Sequence, residues 1–336
     1  MGFAVATVLR VVLASSVAHT INSRAQPGAA ALEVEHGYHS REAPCLPTRD
    51  PQRPTTTIYR GDNITQALAS LAKAHPALPG DSLPAAVVCP LPSMGKSLGN
   101  ATVGPHVALS VAGQASTTGA APRARLWARF VVARSAVLSL AHLEMRHQAT
   151  NPSDRSSELL AGAIRVAPGG LLLADGVFFR ALSTTVAGGA VFVDAAGFAD
   201  FAGCIFDGCR ATNDCGPPFH AAGGGGALAL AGGGSGVLSR CMLRNSWSGC
   251  AGGAVDMRNN NSAAPFSANL TITLSSFQNN SAHEAIGHDI HIYRDGDNKG
   301  VVPCPSPGLK CDSSPNTTRC CFDGNLESLS TTLPAA

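Results

Sequence analysis

The side chains best equipped for chemistry in this chain are a run of charged and amide groups, Arg146, Arg180, Asp207, Arg244, Gln278 and Asp323, that returns at recurring spacing through its second half. A carboxylate beside an arginine can move protons, either as one half of an acid–base pair or with the arginine serving as base beside an acidic calcium site. Glycoside hydrolysis asks for two carboxylates facing one bond, and the chain offers no short Asp-rich stretch that would supply them. Charges alternating along one face more simply form a solvated ladder, worth about 0 to 1 kcal/mol per pair. No residue is therefore assigned a catalytic role, and no cofactor is implied.

Three further motifs fail on spacing. His283-Glu284-Ala285-Ile286-Gly287-His288 has one residue too many for the helical two-histidine zinc motif, and it reads as a turn. Asp295-Gly296-Asp297-Asn298-Lys299-Gly300 begins like a calcium loop, but Lys299 takes a ligand place and Ser306 stands where the closing Glu belongs. Met94-Gly95-Lys96-Ser97 has Pro90 at the place of the upstream Gly of a phosphate loop. No metal and no nucleotide site follows.

What positions the charged run is a repeat. Gly162-Ala163-Ile164-Arg165-Val166 returns 27 residues later as Gly189-Ala190-Val191-Phe192-Val193, then as Gly226-Ala227-Leu228-Ala229-Leu230 and Gly253-Ala254-Val255-Asp256-Met257. A second block keeps step, with Val177-Phe178-Phe179, Cys204-Ile205-Phe206, Cys241-Met242-Leu243 and Ser275-Ser276-Phe277. Within the first block the apolar residues alternate, which is the period of a strand rather than a helix. Ile164, Val191, Leu228, Val255 and Ile290 predict one inward column, and Val166, Val193, Leu230, Met257 and Ile292 a second. Equivalent strands stacked coil on coil make a parallel sheet with strands about 4.8 Å apart. The glycine heading each first block fits a tight corner, where positive φ carries no steric cost. Val107–Val111 and Phe130–Val132 read as earlier strands, and Asp62–Ala72, with Ile64, Leu68 and Leu71 on one face, as a short amphipathic helix capping the first coil.

The Gly-Gly-Ala-(Val/Leu) block followed by Phe-x-x-Asn, present as Phe277-Gln278-Asn279-Asn280 and Phe322-Asp323-Gly324-Asn325, resembles the polymorphic outer-membrane-protein repeat. The resemblance covers residues 55 to 325 and implies a right-handed parallel β-helix of the pectin-lyase-like type, a fold that also hosts polysaccharide lyases and hydrolases. The Asn place holds Leu182, Cys209 and Ser246 in three coils, so a continuous amide ladder is not expected. The membrane-inserted barrel of that family is not expected either.

Residues 1–25 read as a secretory signal peptide, with an apolar run from Phe3 to Val17 and small-x-small cleavage sites at Ser16-Val17-Ala18 or Ser23-Arg24-Ala25. Residues 26–54, rich in Pro and Ala, read as a linker, residues 55–325 as one all-β solenoid domain, and residues 326–336 as a tail. No stretch of the mature chain is apolar enough to span a bilayer. Six sequons, at Asn63, Asn100, Asn260, Asn269, Asn279 and Asn316, fit glycosylation of a secreted chain. Eleven cysteines without a repeated zinc spacing point to an oxidising compartment. Cys304 with Cys311 and Cys45 with Cys89 are the best disulfide candidates, whereas Cys204, Cys241 and Cys320 share an inward column and read as core filling, with a bridge between Cys204 and Cys241 sterically feasible.

Charged residues make up 14% of the chain and the net charge is +2, which argues against a nucleic-acid surface or an electrostatic membrane anchor. The expected function is that of a non-catalytic secreted or cell-surface component of matrix, wall or adhesion type, contacting extracellular polysaccharide or a surface protein. The alternative is a polysaccharide lyase, hydrolase or carbohydrate-binding protein, which an aromatic content of 5% disfavours. One outward column, Phe178, Ile205 and Met242, is apolar. Either the ten-residue insertion holding Cys215-Gly216-Pro217-Pro218-Phe219 covers it, or it is a contact patch for a partner.

Overall fold

A computed structural model describes residues 9–12, 18–26, 29–35, 56–60, 64, 68–69, 85–89, 97–113, 124–146, 162–212, 224–259, 268–283, 289–294, 310–314, 317–321 and 324–333, and the described part is all-β and solenoid-like. The repeat is visible as four stacks of parallel strands. The first face carries Ile164–Val166, Val191–Val193, Leu228–Ala231, Val255–Asn259 and Ile290–Arg294. The second carries Ala108–Ala112, Val137–Ala141, Leu171–Asp175, Phe198–Ala202 and Ser235–Ser239. The third carries Leu143–Arg146, Phe178–Arg180, Ile205–Asp207 and Met242–Arg244. The fourth is a four-stranded sheet of two-residue strands, Ser183–Thr184, Arg210–Ala211, Trp247–Ser248 and Ser281–Ala282. Ala124–Val132 and Ala268–Gln278 each run without a break from one face into the next, pairing with neighbours on both.

Register follows the repeat. Ile164, Val191, Leu228, Val255 and Ile290 are successive partners, and each is fully buried. The second block aligns as Phe179, Phe206, Leu243 and Phe277, whose side chains fill the interior. Phe179 and Phe206 stack with ring centroids 4.6 Å apart, and Phe201 meets both edge-on. Aromatic stacking adds to burial here because coils of equal length place equivalent rings directly over one another.

Corners recur at fixed frame positions with left-handed backbone. Between second and third faces they are His142, Gly176, Gly203, Arg240 and Leu274, and between third and fourth Ala181, Gly208, Asn245 and Asn279. At the head of the first face the expectation needs adjusting. Gly162 has positive φ as expected, but in the next three coils the positive-φ residues are Gly188, Gly225 and Gly252, each one position before the glycine of the repeat block. Gly189 and Gly226 are required for a different reason, since a Cβ there would collide with the carbonyl oxygens of Gly226 and Gly253 in the next coil.

Two features at the C-terminal end depart from the repeat. Thr317–Cys321 pairs antiparallel with Ile290–Arg294, which puts Cys320 opposite Ile290 and not in the column of Cys204 and Cys241. Gly324–Leu333 pairs antiparallel with Ala268–Gln278, so Asn325 faces Ser276 and does not begin a further parallel coil. Antiparallel strands here occupy the backbone groups that a last parallel coil would leave open, the liability of any sheet edge. Residues 9–35 carry a separate three-stranded antiparallel sheet. The helix expected over 62–72 falls mostly outside the described residues, although Ile64 is buried in the core and Leu68 packs against it.

Candidate interaction face

On the third face the residues on either side of the inward Met145, Phe179, Phe206 and Leu243 form two further columns. One reads Arg125, Glu144, Phe178, Ile205, Met242 and Ser276 from coil to coil. The other reads Trp127, Arg146, Arg180, Asp207, Arg244 and Gln278. The charged run and the apolar column of the sequence thus lie side by side on one surface, except for Asp323, which is outside the described residues.

The charges are arranged with the carboxylates underneath. Glu144 is 3.4 Å from Arg125, 2.5 Å from Arg146 and 3.9 Å from Arg180, and its side chain is only 8% exposed against 50% for both Arg125 and Arg180. Asp207 accepts from Arg244 Nη2 at 3.0 Å and from Asn245 Nδ2 at 2.9 Å. Burial pushes the Asp207 carboxyl upward, but the hydrogen bonds from Asn245 and Arg244 and the charges of Arg244 and Arg180 outweigh it, holding the group below its usual 3.8. Asp207 is thereby kept in its ionised form and is not placed to act as a general acid, while Glu144 is ion-paired beneath three arginines.

Phe178, Ile205 and Met242 are half-buried, and the insertion holding Cys215-Gly216-Pro217-Pro218-Phe219, the alternative cover for them, lies outside the described residues. The Arg180 guanidinium sits over the Phe178 ring at 5.7 Å from its centroid. At the two corners flanking Ile205, a methyl group built on Gly203 or Gly208 would meet nothing within 4 Å, so the edges of this strand are open. Leu274, at the corner beside Ser276, is 66% exposed with φ 49°.

A second polar cluster escaped the sequence reading. Asp256 Oδ1 lies 2.6 Å from His291 Nδ1, and Asp256 Oδ2 accepts from Arg258 Nε at 2.5 Å, with all three side chains at most 8% exposed. Asp256 and His291 are register partners on the first face. The signal was present: both follow an inward residue of the repeat block by one position, so the frame alone brings them into adjacent coils. What the frame does not give is their burial. Gly224 packs so closely on the Asp256 carboxylate that no side chain fits there.

Asn280, the Asn of Phe-x-x-Asn, is buried and ties its coil to the previous one. Its Oδ1 accepts from Ser246 N at 3.0 Å, and its Nδ2 donates to Leu243 O and Asp289 Oδ1, both at 2.9 Å. Cys204, Cys209 and Cys241 are free, buried thiols. Cys204 Sγ donates to Ala174 O and Cys241 Sγ to Phe201 O, each at 3.4 Å, while Ser275 Oγ lies 3.4 Å from Leu238 O at the same frame position.

Of the sequons, Asn269 and Asn279 are exposed, and the side chains of Asn63, Asn100, Asn260 and Asn316 are outside the described residues. The candidate pairs Cys304–Cys311 and Cys45–Cys89 each include a cysteine outside them, as do the His283–His288, Asp295–Gly300 and Met94–Ser97 motifs in whole or large part. Among the described residues no group of three His, Cys, Asp or Glu side chains could hold a metal ion, and no helix is long and apolar enough to cross a membrane. No family model, no curated protein and no solved structure matches the chain.

Proposed function

We propose that this chain is a secreted, non-catalytic right-handed parallel β-helix, with repeats of the polymorphic outer-membrane-protein type, that serves as a surface, matrix or adhesion component. The right-handed turn is the sense in which parallel strands of one sheet are joined, because strand twist favours it. The observation that carries the function is the third face: a continuous outward surface whose apolar column is open at Gly203 and Gly208 and whose carboxylates lie ion-paired under arginines. Such a face can bind along its length, and it offers no free acid–base pair. Fold alone would not decide between binding and catalysis.

Incubating the purified chain with acidic and neutral polysaccharides, while reading product release, separates the two. No product is expected from any of them, and beads coated with the chain are expected to adhere to extracellular surface preparations, less so with Ile205→Ser. Steady release of unsaturated or reducing ends would replace this reading with a lyase or hydrolase of the same fold.

A further inference from the structure

We propose that the third face docks an acidic, apolar-anchored segment of a partner protein, with Phe178, Ile205 and Met242 receiving its apolar side chains and Arg125, Arg180 and Arg244 its carboxylates. The proposal rests on the non-catalytic reading of this face and names the chemistry of what it holds.

Charge complementarity selects the sign of the partner. The two outward columns hold four arginines and two carboxylates, but the two signs are not equally presented. Glu144 and Asp207 are 8% and 19% exposed, whereas Arg125, Arg180 and Arg244 are 50%, 50% and 39% exposed. The charge that an approaching molecule meets is therefore cationic. The buried carboxylates orient the guanidinium groups, reducing the side-chain freedom to be lost on binding.

The apolar column selects a protein over a glycan. Phe178, Ile205 and Met242 stack on successive coils about 4.8 Å apart, a strip of one aromatic and two aliphatic side chains. A sugar polymer uses exposed aromatic faces and dense hydrogen bonding, and of the two rings in these two columns Phe178 is already engaged by Arg180 while Trp127 stands only partly exposed at the far end of the adjacent column. Aliphatic side chains of a protein segment fit such a strip, and methionine adapts its shape to them. Gly203 and Gly208, where an added Cβ would meet nothing within 4 Å, leave both ends of the Ile205 strand bare, so that a backbone can lie against it. Ser276 follows Met242 in the column, and Leu274, 66% exposed, adds an apolar side chain at the neighbouring corner of the same coil.

The test uses the full chain, a synthetic peptide of alternating Glu and Leu, polyglutamate, and polygalacturonate, with binding followed by fluorescence anisotropy at low and high salt. The Glu–Leu peptide is expected to bind at least about tenfold more tightly than polyglutamate or polygalacturonate. Binding should weaken with salt, as exposed charges are screened. Ile205→Ser and, separately, the surface change Arg180→Glu are each expected to weaken binding about tenfold at unchanged melting temperature. Should Ile205→Ser lower the melting temperature, Arg180→Glu alone decides. Polygalacturonate binding as tightly as the peptide, peptide binding insensitive to Arg180→Glu, or no peptide binding would each overturn the proposal. Concentration-dependent dimerisation abolished by Arg180→Glu would overturn it in favour of a second copy of the chain. Any of these leaves the non-catalytic reading standing, which only product release from a polysaccharide would remove.

Discussion

At the scale of single residues, alternation decides fate. Val193 is fully buried and its neighbour Phe192 only half so, because successive side chains of a strand leave on opposite sides. Val193→Asp is expected to abolish folding, since an unpaired charge in the stacked interior costs several kcal/mol, whereas Phe192→Asp should secrete and melt close to the parent. Similar melting of both variants would show that the register is wrong. The buried thiols obey the same logic. Burial pushes Cys209 from the usual 9.0 up to about 12 and raises Cys204 as well, so neither of these two thiols should react with a thiol reagent near about pH 8 until the chain unfolds, as peptide mapping of the labelled protein would show. The folded state holds the protonated thiol. Its contribution is therefore fully present below pH 9.0 and lost progressively as pH rises toward 12, where the unfolded chain ionises first. Melting curves followed upward from about pH 8 should fall less steeply for Cys209→Ala than for the parent.

At the scale of elements, the coils are bound by polar groups as well as by the apolar columns. Asp256 joins two strands of the first face through His291 and neutralises Arg258, all in a region closed to solvent. Asp256→Ala is expected to cost about 3 to 5 kcal/mol, because it leaves a buried guanidinium without its carboxylate, and calorimetry of the purified variant would measure it. A loss below about 1 kcal/mol would mean that water reaches Arg258 in place of the carboxylate. Asn280 acts similarly one corner away, and it does so without an Asn ladder, because Ser246 offers its backbone N–H and Leu243 its carbonyl to the one amide present.

At the scale of the whole molecule, topology in the cell is the expectation most open to a direct check. Expressed with its own N-terminus in a eukaryotic host, the chain should reach the medium and lose mass on deglycosylation, and Asn269→Gln should remove part of that loss. The Asn269 side chain is exposed near the start of the Ala268–Gln278 strand, which leaves it accessible for modification. An unglycosylated chain retained inside the cell would remove the secretion reading.

The parallel stacking was legible from sequence alone because a solenoid repeats its environment. Each coil needs the same small, apolar and glycine positions, and the residues at 164, 191, 228, 255 and 290 display that need at near-constant spacing. The same frame placed Phe178, Ile205 and Met242 beside the arginines. Tertiary structure alone decided three other things. It showed that Glu144 lies under Arg125, Arg146 and Arg180, which turns a ladder of mixed sign into a surface presenting cations. It showed that Asp256, Arg258 and His291 are buried, although strand alternation puts them on the side that usually meets water. It also turned the last strands antiparallel, so that Cys320 and Asn325 left the repeat. In each case the deciding quantity is what packs over a side chain from elsewhere in the chain, and a periodic pattern carries information only about the coil a residue belongs to and its immediate neighbours.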